Sequence, residues 1–144
     1  MCIRDRPRSI ILDIRTRVLS VTIHGPWIIY CGLIFWLSHQ PTLPGTPGGD
    51  KVAHVIAYFI MGGLFYRAMA LSSDWDKRKL ILFAALAASL YGLSDEYHQS
   101  FIPGRFAMLD DVVADSIGSI LGALCSSLLY VRSQANQWRF RFMR

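Results

Sequence analysis

The 144-residue sequence predicts an all-α polytopic membrane protein, four transmembrane helices joined by short loops, on three observations. The chain is 53% apolar and only 17% charged, against the roughly 25% charge usual in soluble domains. Four apolar stretches each reach about the 20 residues a helix needs to cross a bilayer. Between them lie segments rich in Pro, Gly and polar residues, which stop helices. The same arithmetic argues against disorder, a disulfide scaffold and a soluble enzyme. A net charge of +5 would suggest nucleic acid in a soluble chain, but this one is too apolar, and no nucleic-acid partner is expected.

The elements follow in order. Met1-Cys2-Ile3-Arg4-Asp5-Arg6 reads as the translated end of a transposase sequencing adapter, so these six residues are expected to be non-native. Setting them aside removes two arginines and one aspartate, a net of one positive charge; resequencing the locus from intact genomic DNA tests the point. Residues 1–17 form an N-tail. The first span runs from about Val18 to Leu37, with Trp27 and Trp36 as interface anchors; no small-residue cleavage motif follows, so it is not a signal peptide. Thr42-Leu43-Pro44-Gly45-Thr46-Pro47-Gly48-Gly49 cannot continue a helix. The second span covers about Val52 to Ala70, and Ser72-Ser73-Asp74-Trp75-Asp76 closes it. The third covers about Leu80 to Gln99, and Pro103-Gly104 makes a tight turn into the fourth, about Asp111 to Val131. The transmembrane domain is thus 18–131 and a basic C-tail takes 132–144. Cys31 and Cys125 fall inside spans, so no disulfide is indicated.

Basic residues orient the bundle. Arg8, Arg15 and Arg17 lie in the N-tail, Lys77, Arg78 and Lys79 in the middle loop, and Arg132, Arg139, Arg141 and Arg144 in the C-tail. The other two loops hold only Lys51 and Arg105. This asymmetry predicts both termini and the middle loop in the cytoplasm.

Under that topology six of the ten acidic residues gather at the extracytoplasmic ends of spans two, three and four: Asp50, Asp95, Glu96, Asp110, Asp111 and Asp115. His54, His98, Lys51 and Arg105 stand at the same level, whereas His24 and His39 stand outside it. Helical spacing puts Asp50, His54 and Tyr58 on one stripe, and Tyr91, Asp95 and either His98 or Gln99 on another. Asp111 and Asp115 continue into Gly118, Gly122 and Ser126, and Gly118-Ser119-Ile120-Leu121-Gly122 with Ala114 forms a small-residue ladder for helix contact. The two carboxylates therefore point into the bundle. Asp110 or Asp111 serves equally well as a helix N-cap, Arg105 as a clamp on Asp95, Glu96 or Asp111, and the histidines as buried hydrogen-bonding groups. Ionisable groups within spans are costly and mark function, so the whole constellation predicts an outward-facing polar site.

Three segments resemble the VanZ-like family. Asp50-Lys51-Val52-Ala53-His54-Val55-Ile56-Ala57-Tyr58-Phe59 is similar to its DKxxHxxxYF opening. Ser94-Asp95-Glu96-Tyr97-His98-Gln99-Ser100-Phe101-Ile102-Pro103-Gly104-Arg105 is similar to SDExxQxFxPGR, and Asp111 to Gly118 to DxxxNxxG, with Asp115 where the pattern has Asn. The resemblance implies a multi-pass protein of the bacterial cytoplasmic membrane. The family is named for a member of a glycopeptide-resistance cluster, associated with reduced sensitivity to teicoplanin.

Two functions are expected from these readings. In one, an extracytoplasmic cavity binds or modifies a lipid-linked envelope precursor or an amphipathic ligand such as a lipoglycopeptide. As an enzyme, Asp95, Glu96 or Asp111 would act as general base and His98 or His54 as proton shuttle, with Arg105 or Lys51 holding a phosphate or carboxylate. Asp50, Tyr58, Gln99 and Asp115 complete the expected ligand-binding set. A divalent cation such as Mg²⁺ suits these oxygens, but the spacing matches no established metal motif and no ligand is assigned. The alternative is a non-enzymatic lipid- or antibiotic-binding module or a transporter subunit. Transport would require an oligomer, since four helices leave little room for alternating access and no internal repeat is visible.

Overall fold

The computed structural model describes the backbone over residues 6–41 and 49–142 and side chains over 14–41 and 49–130. Residues 1–5 of the adapter-like segment, most of the Pro/Gly loop and the basic side chains of the C-tail lie outside these ranges. Four helices follow one another: α1 Arg6–Ser38, α2 Asp50–Ser72, α3 Lys77–Gln99 and α4 Leu109–Phe142. All four contain stretches long and apolar enough to cross a membrane, at Ile14–Ser38, Asp50–Ser72, Lys77–Gln99 and Leu109–Tyr130. The expected spans hold to within a few residues. Helix α4 continues through Phe142, into the residues assigned to the C-tail.

Burial is inverted relative to a soluble bundle. Ile29 is 74% exposed and Leu82 61%, whereas Asp95, Glu96, Gln99, Asp111, Asp115, Ser119 and Ser127 are buried. Water would penalise that arrangement on both faces; hydrocarbon outside and polar contacts inside remove the penalty. The chain is a multi-pass membrane protein.

The small-residue ladder sets the packing. At Gly118 an added Cβ would strike the carbonyl of Val55, and at Gly122 that of Phe59, so α4 lies directly on the α2 backbone. Gly62 of α2 reciprocates against the Ser119 carbonyl, and at Gly63 a Cβ would come within 2.8 Å of Ser126 Oγ. Close approach is what such ladders provide where lipid supplies no hydrophobic drive. On the other side of α4, a Cβ at Gly92 of α3 would come within 2.6 Å of Asp115 Oδ2. Two glycine-lined contacts thus clamp α4 between α2 and α3.

Helix α1 joins through specific contacts. Tyr30 Oη donates to the Ala57 carbonyl at 3.0 Å and Tyr91 Oη to the Cys31 carbonyl at 2.6 Å. Trp27 stacks on Phe65 of α2 with ring centroids 5.3 Å apart. Pro26 lies inside α1 and has no N–H to give the carbonyl of Thr22 four residues earlier. Arg67 of α2 donates to that carbonyl at 3.2 Å.

Helix ends follow local chemistry. Asp76 caps α3, accepting from the N–H groups of Arg78 at 3.0 Å and Lys79 at 3.1 Å. These bonds, that from Lys79 foremost, hold its carboxyl below the usual range. After α3, the Arg105 N–H donates to the Ile102 carbonyl at 3.1 Å, and Gly104 takes a φ of 87°. Pro103 and Gly104 are therefore the central residues of a type II turn, the positive φ selecting glycine. This turn folds Arg105 back over the end of α3.

Candidate functional site

The C-terminal ends of α1 and α3 and the N-terminal ends of α2 and α4 meet at one pole, and the expected polar groups gather there in two layers. The outer layer lines an open cavity of about 100 Å³. Its apolar wall is Ile34, Leu37, Ala53 and Ala57; its polar wall is Ser38, Asp50, His54, Tyr58, Asp95, Gln99 and Arg105. The stripe Asp50–His54–Tyr58 predicted from spacing forms the α2 side of this wall.

A hydrogen-bonded chain crosses the cavity floor. Ser38 Oγ donates to Asp95 Oδ2 at 2.6 Å, and Gln99 Nε2 donates to the same oxygen at 3.2 Å. The Gln99 carbonyl oxygen accepts from the Arg105 guanidinium, through Nε at 3.1 Å and through a second, shorter bond from Nη2. Arg105 therefore pairs with an amide, and among the described residues no carboxylate forms an ion pair with it. Its positive charge is left on the cavity wall. The clamp on Asp95, Glu96 or Asp111 expected as one possibility does not form.

The inner layer lies between α2, α3 and α4. His54 Nδ1 is 2.9 Å from Asp115 Oδ1 and 3.9 Å from Glu96 Oε1. Glu96 Oε2 accepts the Met108 N–H at 3.1 Å, so half of this carboxylate secures the start of α4. The other oxygen, Glu96 Oε1, is buried without a hydrogen-bond partner, as are Asp115 Oδ2, Tyr58 Oη and Ser119 Oγ. Buried polar atoms normally find partners, so unpartnered ones on α2, α3 and α4 set this region apart from ordinary packing.

Other expected residues stand at the edge. Lys51 Nζ contacts Asp110 Oδ2 at 3.2 Å and Asp111 Oδ1 at 3.5 Å. Lys51 thereby offsets first-turn carboxylates that also favour the positive end of α4, and it does not line the cavity. His98 turns towards α1: its Nε2 is 3.3 Å from His39 Nδ1 and its ring lies 4.7 Å from that of Phe35. Of the two residues that spacing allowed on the Asp95 face, Gln99 takes the place and His98 does not. His39, set outside the constellation by sequence, is the partner of His98. Ser38 and Arg67 were not singled out at all. Ser38 follows Ile34 by one turn at the end of an apolar run, a weak signal; the proline four residues beyond Thr22 is the signal for Arg67.

Comparison with known proteins agrees with this architecture. The VanZ/LLP1 family profile matches residues 14–130. An uncharacterized protein of Schizosaccharomyces pombe is 30% identical over 127 residues, covering 88% of this chain and 72% of the yeast protein. No solved structure matches. With the profile spanning all four helices and both layers of the polar pole, the chain belongs to the VanZ/LLP1 family.

Proposed function

We propose that this protein holds the polar headgroup of an anionic amphiphile in the cavity formed by α1, α2 and α3, with the ligand's apolar part lying along the outside of the bundle. The observation that carries this reading is the Arg105 guanidinium, fixed by Gln99 on a cavity wall and paired with no carboxylate among the described residues. A phosphate or carboxylate there gains charge-assisted hydrogen bonds in a partly dehydrated site. In the same cavity Ile34, Leu37 and Ala57 supply an apolar wall for the first carbons of a chain.

The basic-residue asymmetry supports an orientation with both termini and the 73–76 loop in the cytoplasm and the cavity on the opposite side. In a bacterium that orientation faces the cavity towards the cell envelope, where lipid-linked precursors and lipoglycopeptides such as teicoplanin are ligands of the right chemistry. The yeast relative widens the setting beyond bacteria. The shared ligand class is then an anionic lipid headgroup.

One observation favours modification over binding alone. Asp95 lines the cavity and holds the Ser38 hydroxyl at 2.6 Å, a geometry in which a carboxylate can accept a proton from a hydroxyl. Incubating the protein with extracted envelope lipids and following them by mass spectrometry tests both readings. Retained anionic amphiphile in the wild type, lost in Arg105→Ala, supports binding. New products that disappear in Asp95→Asn support an enzyme, and absence of both effects contradicts the assignment.

A further inference from the structure

The inner layer shares His54 and Tyr58 with the cavity wall but poses its own electrostatic problem. Glu96 and Asp115 are buried beside one imidazole. The cations at this pole are engaged elsewhere, Lys51 with Asp110 and Asp111, and Arg105 with Gln99. Buried carboxylates without compensating charge are strongly unfavourable. A protonated His54 would cancel at most one of the two.

We propose that His54, Glu96 and Asp115 bind one divalent first-row transition-metal ion, of the Zn²⁺ or Mn²⁺ class, where α2, α3 and α4 meet. The three residues each present one donor atom, all within 4.8 Å of one another. Donors around such an ion at 2.0–2.2 Å lie roughly 3–4 Å apart, so the group closes on an ion with small side-chain adjustments. Independently of that clustering, Glu96 Oε1, 3.9 Å from His54 Nδ1, is buried and has no hydrogen-bond partner. Two carboxylates and a neutral imidazole neutralise a divalent charge, and the nitrogen donor selects a transition ion over Mg²⁺ or Ca²⁺.

The surroundings orient these donors. The Met108 N–H holds the far oxygen of Glu96, the kind of outer contact that fixes a ligating carboxylate. Asp115 lies in a slot that Gly92 leaves open and that a Cβ would fill. Tyr58 Oη, buried and unpartnered one turn along α2 from His54, is a further donor for the ion or for its water. The inference deepens the reading of this pole as a site, because His54 belongs to both layers, but it rests on different atoms from those that face the amphiphile.

The test uses the full chain in detergent, stripped with a chelator and titrated with Co²⁺ and then Zn²⁺. The expected result is one Co²⁺ per chain with visible d–d absorption, displaced by Zn²⁺. Affinity should fall at least about tenfold in Asp115→Asn and Glu96→Gln and be lost in His54→Gln. Asp110→Asn, which changes a solvent-exposed carboxylate on Lys51, should stay within about twofold of wild type. The proposal is overturned if the wild type shows no saturable binding, if Asp110→Asn weakens binding as much as Asp115→Asn, or if Mg²⁺ displaces Co²⁺ as well as Zn²⁺ does. Circular dichroism checks that each variant keeps its helicity, and the wild-type titration decides where one does not. Amphiphile retention measured on the stripped protein separates the two assignments: retention without metal binding removes only the metal site, and metal binding without retention removes only the headgroup site.

Discussion

Asp115 packs directly against the backbone of Gly92 at the polar pole. Because a Cβ on Gly92 would come within 2.6 Å of Asp115 Oδ2 and 2.9 Å of its Cβ, Gly92→Ala must move α3, α4 or the carboxylate. Overpacking of this kind costs about 1–3 kcal/mol, so the variant should unfold at a lower temperature in detergent. In chelator-stripped protein Asp115→Asn keeps the shape and should unfold near the wild-type temperature, and an equal loss in both would contradict the steric account. The sequence carried the identities of these residues but not their pairing. Spacing on one helix predicted the stripe Asp50–His54–Tyr58, since all three share an axis. It could not choose between His98 and Gln99, three and four residues beyond Asp95, because both positions lie near the same face. The choice depends on where α1 packs, and that is set by Tyr30, Tyr91 and Ser38 meeting groups about sixty residues away or fewer.

At the scale of elements, the apolar runs made every span legible to within a few residues, because a bilayer demands a length and a composition that few other settings do. Partners between helices were less legible, and α1 with α2 is the clearest case. Pro26 frees the Thr22 carbonyl, and Arg67 supplies the missing donor. Arg67→Met should lower the unfolding temperature by about 3 °C. In a Pro26→Ala background, where the helix regains its own N–H, the same change should cost clearly less. Equal effects in both backgrounds would show that Arg67 acts elsewhere. The start of α3 gives a pH prediction. The carboxyl of Asp76 sits below its ordinary value of 3.8 when folded, so its capping contribution is full above the unfolded value and is lost as pH falls through the folded one. The difference in thermal stability between wild type and Asp76→Ala should be constant near neutrality and shrink below about pH 3.8. A difference that grows on acidification would contradict the assignment.

For the whole molecule, burial inversion and charge asymmetry describe one object: apolar outside, polar within, basic at one end and mixed at the other. The orientation drawn from that asymmetry predicts that the 105–108 region faces away from the cytoplasm and the 73–76 loop towards it. In a cysteine-free background, a membrane-impermeant maleimide applied to intact cells should label Phe106→Cys and not Trp75→Cys, and the reverse pattern would invert the bundle. The family profile and the yeast relative show the family, while the proposed ligand class rests on chemistry at the pole. The most direct test of that chemistry is the affinity of a short-chain anionic amphiphile for the purified protein in nanodiscs, compared between wild type, Arg105→Ala and Arg78→Ala. The headgroup site predicts saturable binding that weakens about tenfold or more in Arg105→Ala and is unchanged in Arg78→Ala at the opposite end. Equal affinity in all three proteins, or equal weakening in both variants, would contradict it.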